Sequence, residues 1–432
     1  MGRRVVFLIC VLACSVSAGK HDIYRGYSVH GVKLRDASDQ DFFFRLQDQL
    51  NLDVWQDGFP GDRDAMVMLP PEDRNTVLEQ LDKKEITHYL QIPDVAKNFE
   101  EHDEQMLRWK NEQKRTGKSA TYNDFPRHSE VNEYLDRIAE TYPEFVTLVN
   151  AGQSSQGNTI KYLKISTTKF EDTSKPIYYM DAMIHAREWV TTPVALYAIH
   201  RLVEDLQAGD RDLLEDIDWI ILPIVNPDGY EYSHDTMRLW RRTRSYYPEQ
   251  NATCWGVDAN RNFDVEFNTV GVSASPCSDT FPGYEAFSEP ETRIVRDILL
   301  ENANRIQIYM NIHSYGNWIL YGFGNRTLPA NAVHLHFVGA ATGAAMDAVK
   351  LPQATFYRVG NSALILYPTS GSAQDYGQAV GVPFSYTLEL PGYGYDFSVP
   401  PEYINTINTE TWLGIAESAR LAKLYYKDQT RK

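Results

Sequence analysis

Four short runs dominated by apolar residues, at 177–184, 219–225, 306–312 and 384–390, are separated by stretches of helical periodicity. A strand that is apolar on both faces must be covered on both, which is the situation of a parallel or mixed sheet sandwiched by helices. Helices are expected at 129–141, 192–206, 290–302, 332–349 and 406–426, so the fold class is α/β, with a mixed, mostly parallel sheet and helices on both faces. With 43% hydrophobic residues the chain can bury a core of that size.

The pattern differs before residue 118. Strands are expected at 27–34, 52–55, 65–69 and 87–92, with helices at 39–50 and 72–83, the latter opening after Pro70-Pro71. This order of strand, helix, strand, strand, helix, strand describes a small ferredoxin-like α+β domain over 21–92. Residues 93–118 read as a connecting helix that ends in Gln113-Lys114-Arg115-Thr116-Gly117-Lys118-Ser119, a basic stretch suited to cleavage by a trypsin-like protease. The large domain is expected over 119–432.

Residues 1–18 carry Arg3-Arg4, an apolar run and small residues up to Ala18, the pattern of a cleaved secretory signal. The expected product is secreted, extracellular and monomeric. Cys10 and Cys14 leave with the signal, so Cys254 and Cys277 form one disulfide or remain two buried thiols. Asn251 and Asn325 head glycosylation sequons. A net charge of −16 argues against general affinity for nucleic acid or an anionic membrane.

Two strand ends carry metal-binding chemistry. The run 177–184 leads into His185-Ala186-Arg187-Glu188-Trp189, and the run 306–312 delivers His313. Open α/β sheets place ligands at the carboxyl ends of strands, and two His with one Glu is a three-ligand set of catalytic zinc, one position being left for water. Taken singly, HxxE is a weak motif and His313 has an ordinary hydrogen-bonded reading; the joint placement is what points to a metal. Glu389 lies within an apolar strand, where a carboxylate is costly unless partnered or functional.

His185-Ala186-Arg187-Glu188-Trp189, Asn226-Pro227-Asp228-Gly229-Tyr230, Leu239-Trp240-Arg241-Arg242-Thr243-Arg244, Asp258-Ala259-Asn260-Arg261-Asn262, His313-Ser314-Tyr315, Glu389 and Glu410-Thr411-Trp412 together resemble, in this order, the pancreatic-type carboxypeptidase A/B family. The resemblance implies a zinc exopeptidase made as a zymogen, with the small domain as its inhibitory prodomain. It implies one Zn2+ held by His185, Glu188 and His313, with Glu389 as general base and Arg241 steadying the oxyanion. Asn260, Arg261 and Tyr367 would hold the terminal carboxylate of a peptide or protein substrate, because a guanidinium recognises a carboxylate bidentately. Arg187, Arg238, Ser314 and Tyr315 would make further substrate contacts, and Asp258 would orient a zinc-bound histidine. Gln374 falls at the base of the pocket for the terminal side chain, with Gly324 and Ser362 at wall positions. An acidic residue at the place of Gln374 would select basic ends, so this uncharged one implies an A-like preference for neutral ends. Two other readings share the donors: a non-catalytic binding module, disfavoured because every catalytic position is filled, and a zinc deacylase or amidase, disfavoured by the prodomain and the carboxylate clamp.

Overall fold

The computed structural model of the chain describes residues 19–118 and 120–430. The signal segment 1–18, with Cys10 and Cys14, and Ser119 at the expected start of the large domain lie outside the described residues. The small domain holds strands β1 (Ser28–Lys33), β2 (Asp53–Gln56), β3 (Ala65–Leu69) and β4 (Thr87–Ile92) with helices Ala37–Leu50 and Pro71–Lys83. The sheet is antiparallel in the order β2-β3-β1-β4, the ferredoxin-like arrangement. Asp36 caps the first helix through the Asp39 amide, and prolines open the second.

Every residue of β3 is buried, although one face of a small antiparallel sheet ordinarily meets water. Val32, Val67 and Leu69 pack with Phe43, Leu46, Val77 and Leu81 of the helices. Val29, Met66 and Met68 point the other way and pack with Val95 and Phe99 of the connecting helix and with Leu239 and Phe397 of the large domain. The second apolar face of this sheet is therefore an interface.

The connecting helix spans Val95–Thr116, starts on an Asp94 cap and stops at Gly117, whose φ of 68° is left-handed. Lys114 and Arg115 are thus exposed on its last turn rather than in an extended linker. Basic residues are favoured there because they face the negative end of the helix dipole, and the turn has to unwind before a protease can read it.

The large sheet contains β5 (Val146–Gln153), β6 (Thr159–Ile165), β7 (Ile177–Ala182), β8 (Asp218–Leu222), β9 (Ile306–Ser314), β10 (Trp318–Tyr321), β11 (Arg358–Asn361) and β12 (Phe384–Leu390). Its order is β11-β10-β12-β9-β7-β8-β6-β5. The four central strands β12, β9, β7 and β8 run parallel, and β5 and β6 close one edge antiparallel. Helices Thr191–Val203 and Ile404–Thr430 cover one face and Pro290–Asn302 the other, each against its own apolar cluster. Among the described residues no helix is long and apolar enough to cross a membrane.

Glu291, on the first turn of the helix Pro290–Asn302, is fully buried. One carboxylate oxygen accepts the Ser155 amide at 3.2 Å and the other has no partner. Nearby Asp228 has the Gln156 amide and Asn158 as donors, and Glu289 has Thr243 and Tyr247. Burial, reinforced by Glu289, pushes the Glu291 carboxyl up from 4.5 to about 8. A raised acid stabilises the fold fully below its unfolded pKa, and that contribution is lost as pH rises through the folded value. Glu291→Gln is therefore expected to leave the melting temperature near pH 5 almost unchanged and to raise it by a few degrees at pH 9. Calorimetry at the two pH values is the check, and equal shifts at both would contradict it.

Candidate active site

β7 ends at Ala182, and Met183, with a φ of 60°, turns the chain off the sheet so that His185 and Glu188 precede the helix Thr191–Val203. His313 is the penultimate residue of the neighbouring strand β9, and Glu389 on β12 pairs with it in register. Adjacent parallel strands thus deliver all four side chains to one end of the sheet.

His185, Glu188 and His313 are each at most 3% exposed, and they are the one group of three metal-ligating side chains among the described residues whose donor atoms converge. His185 Nδ1 lies 2.7 Å from Glu188 Oε1, His313 Nδ1 lies 3.0 Å from Glu188 Oε2, and the two Nδ1 atoms are 3.1 Å apart. The second nitrogen of each ring faces an acceptor: His185 Nε2 meets Asp258 Oδ1 at 3.1 Å, and His313 Nε2 meets Asn311 Oδ1. Protons held on Nε2 leave the Nδ1 lone pairs converging on each other and on a carboxylate, an arrangement that repels itself unless a cation fills it. The donors fit a small ion bonded at about 2.1 Å.

Asp258, fully buried, joins this centre to Arg241. Its Oδ2 accepts Arg241 Nη2 at 2.9 Å and Nε at 3.1 Å, and Oδ1 also accepts the Asn260 amide at 3.0 Å. The charges of Arg241 and His185 hold its carboxyl well below the usual range against the cost of burial. Arg241 in turn points Nη1 to within 3.2 Å of His185 Nδ1, a fixed positive charge beside the donors.

Two cavities meet at this centre and share Glu188, Arg241, Leu366, Tyr367 and Glu389. The smaller, about 90 Å³, runs inward past Asn260 and Arg261 to Gln374. Arg261 Nη2 donates to the Tyr367 hydroxyl at 3.2 Å, and Asn260 Oδ1 accepts the Ala373 amide at 2.8 Å. The larger, about 520 Å³, opens between the two domains and is lined by Arg187, Ser314 and Tyr315 together with Asp53, Trp55 and Asp57 of the small domain. Burial in this setting pushes the Glu389 carboxyl up to about 7, against the pull of His313.

Two residues stand elsewhere than expected. Arg238 lines neither cavity; its guanidinium donates to the carbonyls of Arg187 and Phe397 and stacks 3.7 Å over Trp189. So deeply buried a charge can steady the Arg187 segment but has no face left for a substrate. Gly324 is also outside the pocket wall, with its amide donating to Asp375 at 2.6 Å, while Ser362 does line it. Sequence reasoning missed Asn311, Asp53 and the wall residues Thr369 and Thr387. Asn311 carried a signal, as a carboxamide two residues before a ligand in an otherwise apolar strand. Cys254 and Cys277 are bonded to each other, which removes the free-thiol alternative.

The family model described as zinc carboxypeptidase matches residues 131–414, and that described as carboxypeptidase activation peptide matches 31–102. The chain is 41% identical to "Carboxypeptidase B" of Helicoverpa zea over 96% of this chain and 98% of that one. It is 31% identical to "Carboxypeptidase A1" of Bos taurus over 94% and 96% of the respective lengths. Among solved structures, carboxypeptidase A from Helicoverpa armigera superposes with a TM-score of 0.88 at 40% identity, covering 93% of this chain and 98% of that one.

Proposed function

The chain belongs to the zinc carboxypeptidase family, and from that premise we propose that it removes single neutral residues from the C-terminal ends of peptides after its prodomain is cut away. The observation that carries this reading is the pairing of Arg261 with Tyr367 at 3.2 Å inside the same small cavity as the metal donors, Glu389 and Gln374. A substrate whose terminal carboxylate lies on Asn260, Arg261 and Tyr367 brings its last peptide bond next to Glu389 and points its last side chain towards Gln374.

His185, Glu188 and His313 would hold the zinc ion, whose positive charge would polarise a carbonyl and acidify water at this site. Glu389 takes the proton of the attacking water and returns it to the departing amine, a task matched to a carboxyl raised towards neutral pH. Arg241, fixed by two hydrogen bonds to Asp258, faces the oxygen on which negative charge develops. Asp258 and Asn311 hold the two imidazoles in one tautomer. Arg187, Ser314 and Tyr315 line the side where the rest of the peptide would run. Secretion follows from the expected signal at 1–18, and the surface sequons at Asn251 and Asn325 are its expected glycosylation sites.

The relatives' names carry both letters, A and B, so the preference is argued from the pocket. Among the described residues no carboxylate lines the smaller cavity beyond the metal centre and Glu389, and a buried cation without a counter-charge costs on the order of several kcal/mol. The test is to cleave the precursor with trypsin and measure release from peptides differing only in the last residue, with a chelator control. Gln374→Asp is expected to move the ratio of kcat/KM for Arg over Leu ends upward by about tenfold or more. A native enzyme that already prefers Arg to Leu would refute neutral selectivity.

A further inference from the structure

Among the described residues, two buried polar atoms in the smaller cavity have no hydrogen-bond partner. Gln374 is 3% exposed and its Oε1 accepts nothing; Ser362 is 6% exposed and its Oγ is likewise unpaired. Both residues line the same cavity of about 90 Å³. Gln374 sits on the first turn of the short helix Ala373–Ala379, opposite the start of the helix Ser362–Ile365. Its Nε2 is turned towards Asp375 Oδ1 at 3.4 Å, and Asp375 is itself held by the Gly324 amide at 2.6 Å. The amide thus turns one N–H towards Asp375 and leaves its Oε1 free to accept.

A buried acceptor and a hydroxyl without a protein partner become costly when an apolar side chain excludes water from them. We propose that the pair Gln374 and Ser362 makes this a carboxamide-selecting pocket, so that Gln and Asn are the preferred C-terminal residues. The terminal NH2 of such a side chain donates to Gln374 Oε1, and its carbonyl accepts the Ser362 hydroxyl. A thioether or alkyl chain of the same length satisfies neither atom. A carboxylate brings an acceptor against an acceptor, and an ammonium finds no counter-charge, because Asp375 faces a separate cavity behind Thr369. The asymmetry follows a general rule, that a site built to hydrogen-bond a substrate group rejects the isostere lacking it far more strongly than an apolar pocket rejects an added one.

This inference rests on the carboxypeptidase reading of the same cavity, and the experiment separates the two. The trypsin-activated enzyme is given N-blocked peptides identical but for a last residue of Gln, Met, Glu or Lys, and kcat/KM is measured for each. Gln is expected to exceed Met, its near isostere, by about tenfold, and Glu and Lys by more. In Gln374→Leu the ratio of Gln to Met is expected to fall to about one or below, and Ser362→Ala, a smaller change that spares the fold, is expected to lower it by about threefold. Hydrolysis of the panel with Met equal to or above Gln overturns the carboxamide pocket while leaving the exopeptidase intact, as does an unchanged ratio in both variants. Release of no terminal residue from any peptide overturns the carboxypeptidase reading, and the pocket's selectivity with it.

Discussion

Glu389→Gln is expected to bind one zinc per chain with native affinity and to lose activity by about 10²–10⁴-fold. The donor atoms that converge are those of His185, Glu188 and His313, and Glu389 is not among them. Glutamine keeps the length of the side chain and its place opposite His313 in β12, but it cannot accept a proton from water at any working pH. His313→Ala removes one of three donors instead, and both zinc content and turnover should fall together. The two variants thus separate holding the metal from moving the proton. Metal analysis of dialysed protein, paired with kcat on one peptide, gives the answer. A His313→Ala enzyme with a full complement of zinc and normal turnover, or a Glu389→Gln enzyme with normal kcat, would remove these assignments.

The ligand positions were legible because strand ends announce themselves: an apolar run that stops at a histidine places that imidazole at the carboxyl edge of a sheet. The partner strands β5 and β6 were not read, since Thr159–Ile165 alternates lysines with apolar residues and, as part of the antiparallel edge, lacks the continuous apolar signature of the buried centre. Pairing through space was equally invisible. Nothing in the neighbourhood of Asp53 marks it as the partner of Arg187, at 2.9 Å and 134 residues away. Arg238 was misread for a related reason. Arg238 and Arg187 look alike in sequence, and only the folded chain separates a guanidinium held by two carbonyls and Trp189 from one that lines the cleft. The apolar residues of β3 hinted at a second buried face, yet their partner, Phe397, lies more than three hundred residues further along the chain.

Cutting the precursor between Lys114 and Lys118 should raise hydrolysis of long peptides by about a hundredfold or more. The prodomain lies across the cleft through contacts to two residues assigned to the substrate, Arg187 and Tyr367, and to their surroundings. Asp53 occupies Arg187, Phe44 packs at 6.4 Å against Tyr367, and Trp55 at 6.0 Å against Phe397. Arg63 reaches the Ile365 carbonyl at 2.9 Å and stacks 4.6 Å over Trp318, while Asp62 pairs with Arg358. Asp57 lines the cavity near Arg261 and Arg241, with burial pushing its carboxyl up to about 6 against the pull of Arg63 and of those two guanidiniums. No single one of these contacts is strong; exposed ion pairs in particular contribute about 1 kcal/mol or less. Their joint hold depends on the connecting helix, which is itself anchored where His102 meets the Val399 carbonyl at 3.0 Å. While the chain is intact the prodomain is present at an effective concentration of about 1 mM, so even weak contacts keep it seated. Cleavage leaves every contact in place but turns the association into one between two molecules, which dilution can break. Activity released by trypsin should therefore rise further when the cut protein is diluted, and fall again when isolated prodomain is added back. Uncut precursor that hydrolyses long peptides as fast as the cut form would mean that the small domain assists folding and does not restrain the enzyme.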